Sequence, residues 1–328
     1  MVGRACKGGD VGMENGAEAF ERWLGSASPR PTVLRIFFGT LLIAVCWLAA
    51  TVAVIAAGAF AYLLWLQPAP EAFDVGGFLA GFLPTPLGVL AQLGTFGGIW
   101  AGTWLAMRFL NREPLRALYG LSRRIQWNAF GKAFLAILIA GIPTEIVLYA
   151  MQPGIERGPI LFSTWLVFLL PLLFLAFVQT SSEELLFRGY FMRSLGARFR
   201  SPIVWAVLPG LLFTFMHFNP SAAPLVNLAT LLSIALFTVM ATILVWQTGN
   251  LGAAMGAHLA NNFSGFALIA HENSLSSLAL FHGLKLEELA WTPALTARIV
   301  ALTAFGCALT LLFLLHPRSP LRLEADSG

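Results

Sequence analysis

Residues Ile160–Arg188 read ILFSTWLVFLLPLLFLAFVQTSSEELLFR. Between Leu166 and Val178 only Pro171 interrupts the hydrocarbon, and then Glu183, Glu184 and Arg188 follow within one and a half turns. A helix needs about 20 apolar residues to cross a bilayer, and this run supplies them. Each ionised group placed at the centre of such a helix costs about 2.5–3.5 kcal/mol on insertion scales. The run therefore predicts a membrane-crossing helix whose charges have partners or a task.

Working outward, similar runs recur along the chain. Eight spans are expected, roughly Val33–Leu66, Leu83–Leu110, Ala129–Ala150, Ile160–Leu186, Ile203–His217, Leu225–Val245, Leu251–Ala270 and Leu295–Leu315. The composition agrees, with 58% hydrophobic and 11% charged residues against about a quarter charged in soluble domains. The expected fold class is all-α, a polytopic membrane bundle of about eight transmembrane helices. It occupies residues 33–316 between an N-terminal tail, 1–32, and a C-terminal tail, 317–328.

The net charge of +4 does not signal nucleic acid, because the basic residues cluster in short loops. Arg108, Arg112, Arg116, Arg123 and Arg124 surround one connection, and Arg193, Arg198 and Arg200 another. The alternate connections are acidic or nearly neutral, as with Glu71 and Asp74. Excess Lys and Arg mark the cytoplasmic side, which places both termini there. The thirty-odd mixed residues before Val33 do not read as a cleavable signal peptide, although Ala17–Trp23 has the pattern of a short amphipathic helix. Cys6, Cys46 and Cys307 lack any metal-ligand or disulfide spacing.

The polar groups inside the apolar spans carry the chemistry. Glu184 and Arg188 stand four apart with the acid first, the better order for an intrahelical pair, and a structural ion pair is the preferred reading. Glu183 is turned about 100° away and so escapes that arginine. Phe213 and His217 are four apart on the next span, and His258 and Asn262 on the seventh. Counting from the hydrated turn Arg198–Pro202, Glu183 and His217 reach nearly equal depth, roughly 15 Å inside, with His258 at roughly 12 Å. Glu145 falls near the opposite face, where snorkelling to the interface accounts for it. His271 and His282 belong to a hydrophilic external loop.

A carboxylate, two histidines and a carboxamide at one depth have the parts for peptide hydrolysis. Glu183 is the candidate general base toward water, with His217 holding and polarising that water. His258 and Asn262 are candidate donors to the oxyanion of a tetrahedral intermediate. A metal reading of the same groups makes Glu183, His217 and His258 three zinc ligands with an open water position. Two other classes compete. A proton-coupled transporter uses Glu/His chains too. A non-catalytic scaffold or immunity protein would need Glu184–Arg188 but not Glu183.

Ser182–Gly189 resembles the EExxxR motif of the CPBP family, which groups CAAX prenyl endopeptidases with bacteriocin-processing and abortive-infection proteins. Phe213–His217 is similar to its FxxxH motif and His258–Asn262 to its HxxxN motif, in the same order on successive spans. The resemblance covers about residues 159–270. It implies an eight-helix bundle and a glutamate-type intramembrane endopeptidase without a required cofactor. It implies that Glu183 with His217 activates water while His258 and Asn262 stabilise the oxyanion. The implied partners are the lipid bilayer and a peptide or protein substrate, prenylated or membrane-anchored, in a prokaryotic plasma membrane.

Overall fold

A computed structural model describes residues 11–65, 74–151, 154–271, 275–283 and 291–328; the first ten residues, Leu66 and Glu71 lie outside the described residues. Among the described residues the fold is all-α apart from three two-residue strands. In order it forms α1 (Val11–Gly25), α2 (Val33–Trp65), α3 (Val75–Phe82), α4 (Pro86–Asn111), α5 (Trp127–Met151), β1 (Glu156–Arg157) and α6 (Phe162–Gly196). Then follow α7 (Ile203–Phe215), α8 (Pro224–Thr248), α9 (Gly252–Phe263), β2 (Ile269–Ala270), β3 (Phe281–His282) and α10 (Pro293–Leu315).

Five of these helices, α2, α5, α6, α8 and α10, are long and apolar enough to cross a membrane, and the bent pair α3–α4 makes up to six. The chain is thus an integral membrane protein. The two other spans expected from hydropathy are shorter. α7 ends at Phe215, where the Asn219–Pro220 turn is locked by Asn227, whose Oδ1 accepts from Asn219 N at 2.9 Å. α9 passes into π-helical turns over Ser264–Leu268 and then into strand β2. Hydropathy counts loop and strand residues as if they were helix, because they are equally apolar. The second expected span is α4, and ahead of it α3 is an added helix at 94°, with Thr85 capping the start of α4 by accepting from Gly88 N at 3.1 Å.

The long helices form much of the wall, and the short helix α9 lies in the interior. α2 turns Phe37, Leu41, Leu48, Val52 and Phe60 outward, an apolar surface that only lipid can cover. Its inner face meets α4 at Gly98 and Gly102. A Cβ on Gly102 would lie 2.7 Å from the Ile43 Cα, so only glycine permits this approach. By contrast α9 is buried along Gly252–Ala260. Its small residues let the α5 backbone close in, and a Cβ on Gly256 would meet Phe130 O at 2.1 Å. At the far end β1, β3 and β2 form a three-stranded sheet in that order. There Glu145 Oε2 lies 3.2 Å from His271 Nε2, so this acid has a specific neighbour where sequence suggested only snorkelling.

The arginine-rich end is more ordered than a reading of tails and loops implies. From Val11 the N-terminal segment is a helix that buries Phe20, Trp23 and Leu24 in the main apolar cluster, and Trp23 Nε1 donates to Ala117 O at 2.9 Å. At the other terminus Asp326 is buried. Its Oδ2 accepts from Ser122 N at 3.0 Å, Ser122 Oγ at 2.9 Å and Asn250 Nδ2 at 2.8 Å. Asn250 in turn caps α9 through Gly252 N at 2.9 Å.

Arg193, which reads in sequence as a topology marker, is 1% exposed and pairs in bidentate fashion with Glu113 at 2.8 and 2.9 Å. Removing one partner of such a pair strands the other charge at a cost of about 3–5 kcal/mol. Glu113→Leu should therefore lower the melting temperature in detergent clearly, and the double variant Glu113→Leu, Arg193→Met should recover most of the loss. Calorimetric or fluorimetric melting of the three proteins checks this.

Candidate functional site

α6 carries the acids. In an α-helix Gln179, Glu183 and Phe187 share one face, and Glu184 and Arg188 the neighbouring one. Beyond Glu184 the backbone widens into π-helical turns over Leu185–Phe191, a local irregularity that often accompanies functional sites. The segment is buried from Gln179 to Ser194, with Glu183 at 8%, Glu184 at 0% and Arg188 at 2% exposure.

Arg188 Nη1 donates to Glu184 Oε1 at 2.8 Å. Its Nη2 reaches Thr238 O of α8 at 3.4 Å, and its guanidinium lies over the Phe213 ring, 4.8 Å from the centroid. This arrangement satisfies a buried cation by a carboxylate, a carbonyl and a π face. Glu184 does more than neutralise it. The same Oε1 lies 2.8 Å from His258 Nδ1 of α9, while Oε2 is buried with no hydrogen-bond partner among the described residues. The other nitrogen, His258 Nε2, lies 3.4 Å from Glu183 Oε2. His258 is therefore wedged between the two carboxylates.

The carboxamides join from the other side. Gln179 Nε2 donates to Glu183 Oε2 at 3.0 Å, and Asn262 Nδ2 donates to Gln179 Oε1 at 2.9 Å. Asn261 Nδ2 donates to Asn262 Oδ1 at 3.2 Å. Asn262 thus reaches Glu183 through Gln179. Ser181 and Ser182 are spent on backbone: Ser181 Oγ bonds Phe177 O, and Ser182 Oγ bonds Gln179 O at 2.7 Å.

His217 stands apart. It follows the last turn of α7, is exposed, and its Nδ1–H donates to Phe213 O at 2.9 Å, leaving Nε2 as the lone-pair nitrogen. Its ring packs 4.9 Å from that of Phe213, which is 6.0 Å from the His258 ring. Among the described residues no hydrogen bond joins His217 to Glu183, His258 or Asn262. Glu183, Glu184, Arg188, His258 and Asn262 thus form one hydrogen-bonded or ion-paired network, and His217 packs against Phe213 without such a bond to that network.

Among the described residues no group of three or more His, Cys, Asp or Glu is placed to hold a metal ion, so Glu183, His217 and His258 are not brought together as one three-ligand set.

Three contributors escaped the sequence reading. Gln179 had a signal, since it lies four residues before Glu183 in an otherwise apolar stretch. Thr238 contributes its carbonyl, which no side-chain pattern reveals. Phe237, whose ring lies 5.2 Å from that of His258, looked like any other core aromatic.

The comparisons with known proteins fall on this same region. Residues 163–264 match the family model described as type II CAAX prenyl endopeptidase Rce1-like. The motif-bearing segment is thus similar to the CAAX prenyl endopeptidases, as its three motifs are to those of the CPBP family. The chain is also similar to an uncharacterized protein of Bacillus subtilis, YyaK, with 28% identity over 178 residues. The match covers 53% of this chain and 58% of YyaK, so it spans little more than half of that relative's length. No solved structure matches the chain significantly.

The geometry separates the two glutamates. Arg188→Ala should leave Glu184 sealed without its cation and destabilise the protein by about 3–5 kcal/mol. Glu183→Gln removes a buried charge while retaining a hydrogen-bonding side chain, so its stability should equal or exceed that of the parent. A melting series in one detergent checks the order; earliest unfolding of Glu183→Gln would reverse the assignment.

Proposed function

We propose that this chain is an intramembrane endopeptidase in which Glu183 activates the water that cleaves a peptide bond. The observation that carries the reading is the joining of Glu183, His258, Glu184 and Arg188 from two helices, with Asn262 attached through Gln179. Paired charges alone would need only Glu184 and Arg188. The additional acid, facing a histidine in a buried site, is an expensive arrangement that structural stability does not require.

In this reading Glu183 takes one proton from water as the water oxygen attacks the scissile carbonyl carbon. The carbonyl π pair moves onto oxygen, and His258 and the second N–H of Asn262 donate to that oxyanion. The intermediate then collapses, the C–N bond breaks, and Glu183 returns its proton to the leaving amine. Glu184 holds the His258 ring by its Nδ1, and Arg188 supplies the counter-charge. His217 is the second group toward water, through its lone-pair Nε2. The substrate is a peptide or protein, and the Rce1-like match favours a prenylated or membrane-anchored one. We place both termini in the cytoplasm of a prokaryotic plasma membrane. The arginine-rich loops support that side, and both terminal segments pack at the same end of the bundle.

The test uses protein reconstituted in liposomes and a farnesylated peptide ending in a CAAX sequence, with mass spectrometry of the products. Glu183→Gln should lower kcat by roughly 10²–10⁴-fold, the usual weight of a general base, and undiminished cleavage would remove Glu183 from the mechanism. In the glutamate-only reading, exhaustive chelation should leave cleavage within about twofold, well under one hydrogen bond's worth. Loss of activity on chelation, restored by zinc, would sink the glutamate-only mechanism.

A further inference from the structure

Gln179 lies outside every motif that defines the site, yet it is the residue through which Asn262 reaches Glu183. It is 7% exposed on α6, one turn before Glu183. Its amide faces two groups of opposite demand. A carboxylate only accepts, so the Gln179 N–H side must face Glu183, and its carbonyl is left for an N–H donor. Asn262 Nδ2 provides that donor, which commits Asn262 Oδ1 to accept from Asn261. The three amides therefore donate in one direction: Asn261 to Asn262 at 3.2 Å, Asn262 to Gln179 at 2.9 Å, and Gln179 to Glu183 at 3.0 Å.

We infer that Gln179 is a positioning residue for the reaction, the inner member of an amide relay that fixes which oxygen of Glu183 serves as the base. Oε2 is occupied by Gln179 and faces His258, so Oε1 is the oxygen left for water. Bonds donated along one line polarise each other, which strengthens the last one onto the carboxylate. The relay also ties α9 to α6 a second time at Glu183, beside the His258 contact. One Asn262 N–H is spent on Gln179, and the other is aimed by that bond. A buried glutamine that merely joined helices would need no such directionality.

The inference rests on the endopeptidase reading for its kinetic consequence, and its test separates the two. In liposomes, with the farnesylated peptide as probe, Gln179→Leu should lower kcat about tenfold, the weight of one hydrogen bond to a charged group, with KM within about twofold. Asn261→Ala alone should cost about threefold, a fraction of such a bond. It should cost nothing further in the Gln179→Leu background, because Asn261 reaches Glu183 only through Gln179. Equal Asn261→Ala effects in both backgrounds overturn the relay. Gln179→Met, which keeps the length of the side chain, replaces Gln179→Leu if the branched variant misfolds. Infrared difference spectra supply a readout that needs no substrate, using the carboxyl band that disappears in Glu183→Gln. That band should move in Gln179→Leu. A moved band in a protein that cuts nothing keeps the relay and removes the endopeptidase reading. Cleavage with an unmoved band keeps that reading and removes the relay.

Discussion

A guanidinium sealed inside an apolar bundle must be neutralised where it stands, and the interior of this protein is organised around that requirement. Arg188 takes Glu184 from its own helix, a carbonyl from α8 and the ring of Phe213 from α7. Glu184 passes the constraint on to α9 through His258. One intrahelical pair therefore touches every inner helix. Desolvation makes each of these contacts costly to lose, since a buried charge without its partner has no water to fall back on. The pair fixes the place of His258, and His258 together with Gln179 fixes the place of Glu183.

The same logic places His258 on a helix that is buried along Gly252–Ala260, whereas α7 still turns Ile203, Leu208, Leu211 and Phe215 outward. α9 is instead built from Gly252, Ala253, Ala254, Gly256 and Ala257, which let α5 and α6 pack against its backbone. The long helices α2, α5, α8 and α10 present leucine, valine and phenylalanine outward and separate this polar interior from the hydrocarbon. A low-dielectric wall also strengthens the electrostatics inside, which is what a site of opposed charges needs.

At the arginine-rich end a second set of buried polar groups keeps the helices in register. Glu113 and Arg193 join the α4–α5 connection to the end of α6 beneath α1. Asp326 and Asn250 join the C-terminal segment to the start of α9. Gly120 sits at this crossing with φ +151, where a Cβ would fall 2.5 Å from Asn250 Nδ2. The termini are thus packed parts of the bundle, and the start of the helix carrying His258 depends on them.

Much was legible in the chain itself. Hydropathy alone determines an all-α membrane protein, because twenty apolar residues in water have no other stable place. Helical periodicity alone places Glu184 on the face of Arg188 and Glu183 off it, because 3.6 residues per turn leaves no alternative within one helix. What the sequence could not decide is whatever depends on distance between helices. It could not tell a crossing helix from one that stops in the interior, since Ile203–His217 and Leu251–Ala270 are as apolar in loop and strand as in helix. Nor could it separate an arginine marking the membrane surface from Arg193, buried against an acid eighty residues away. It assigned His258 to the oxyanion and Glu184 to Arg188 as separate tasks. The tertiary structure places one imidazole between both carboxylates, packs His217 against Phe213, and makes Gln179 the link to Asn262. Those choices belong to the packing, because spacing along a chain fixes only which side of a helix a group occupies, and the neighbouring helix decides what it meets.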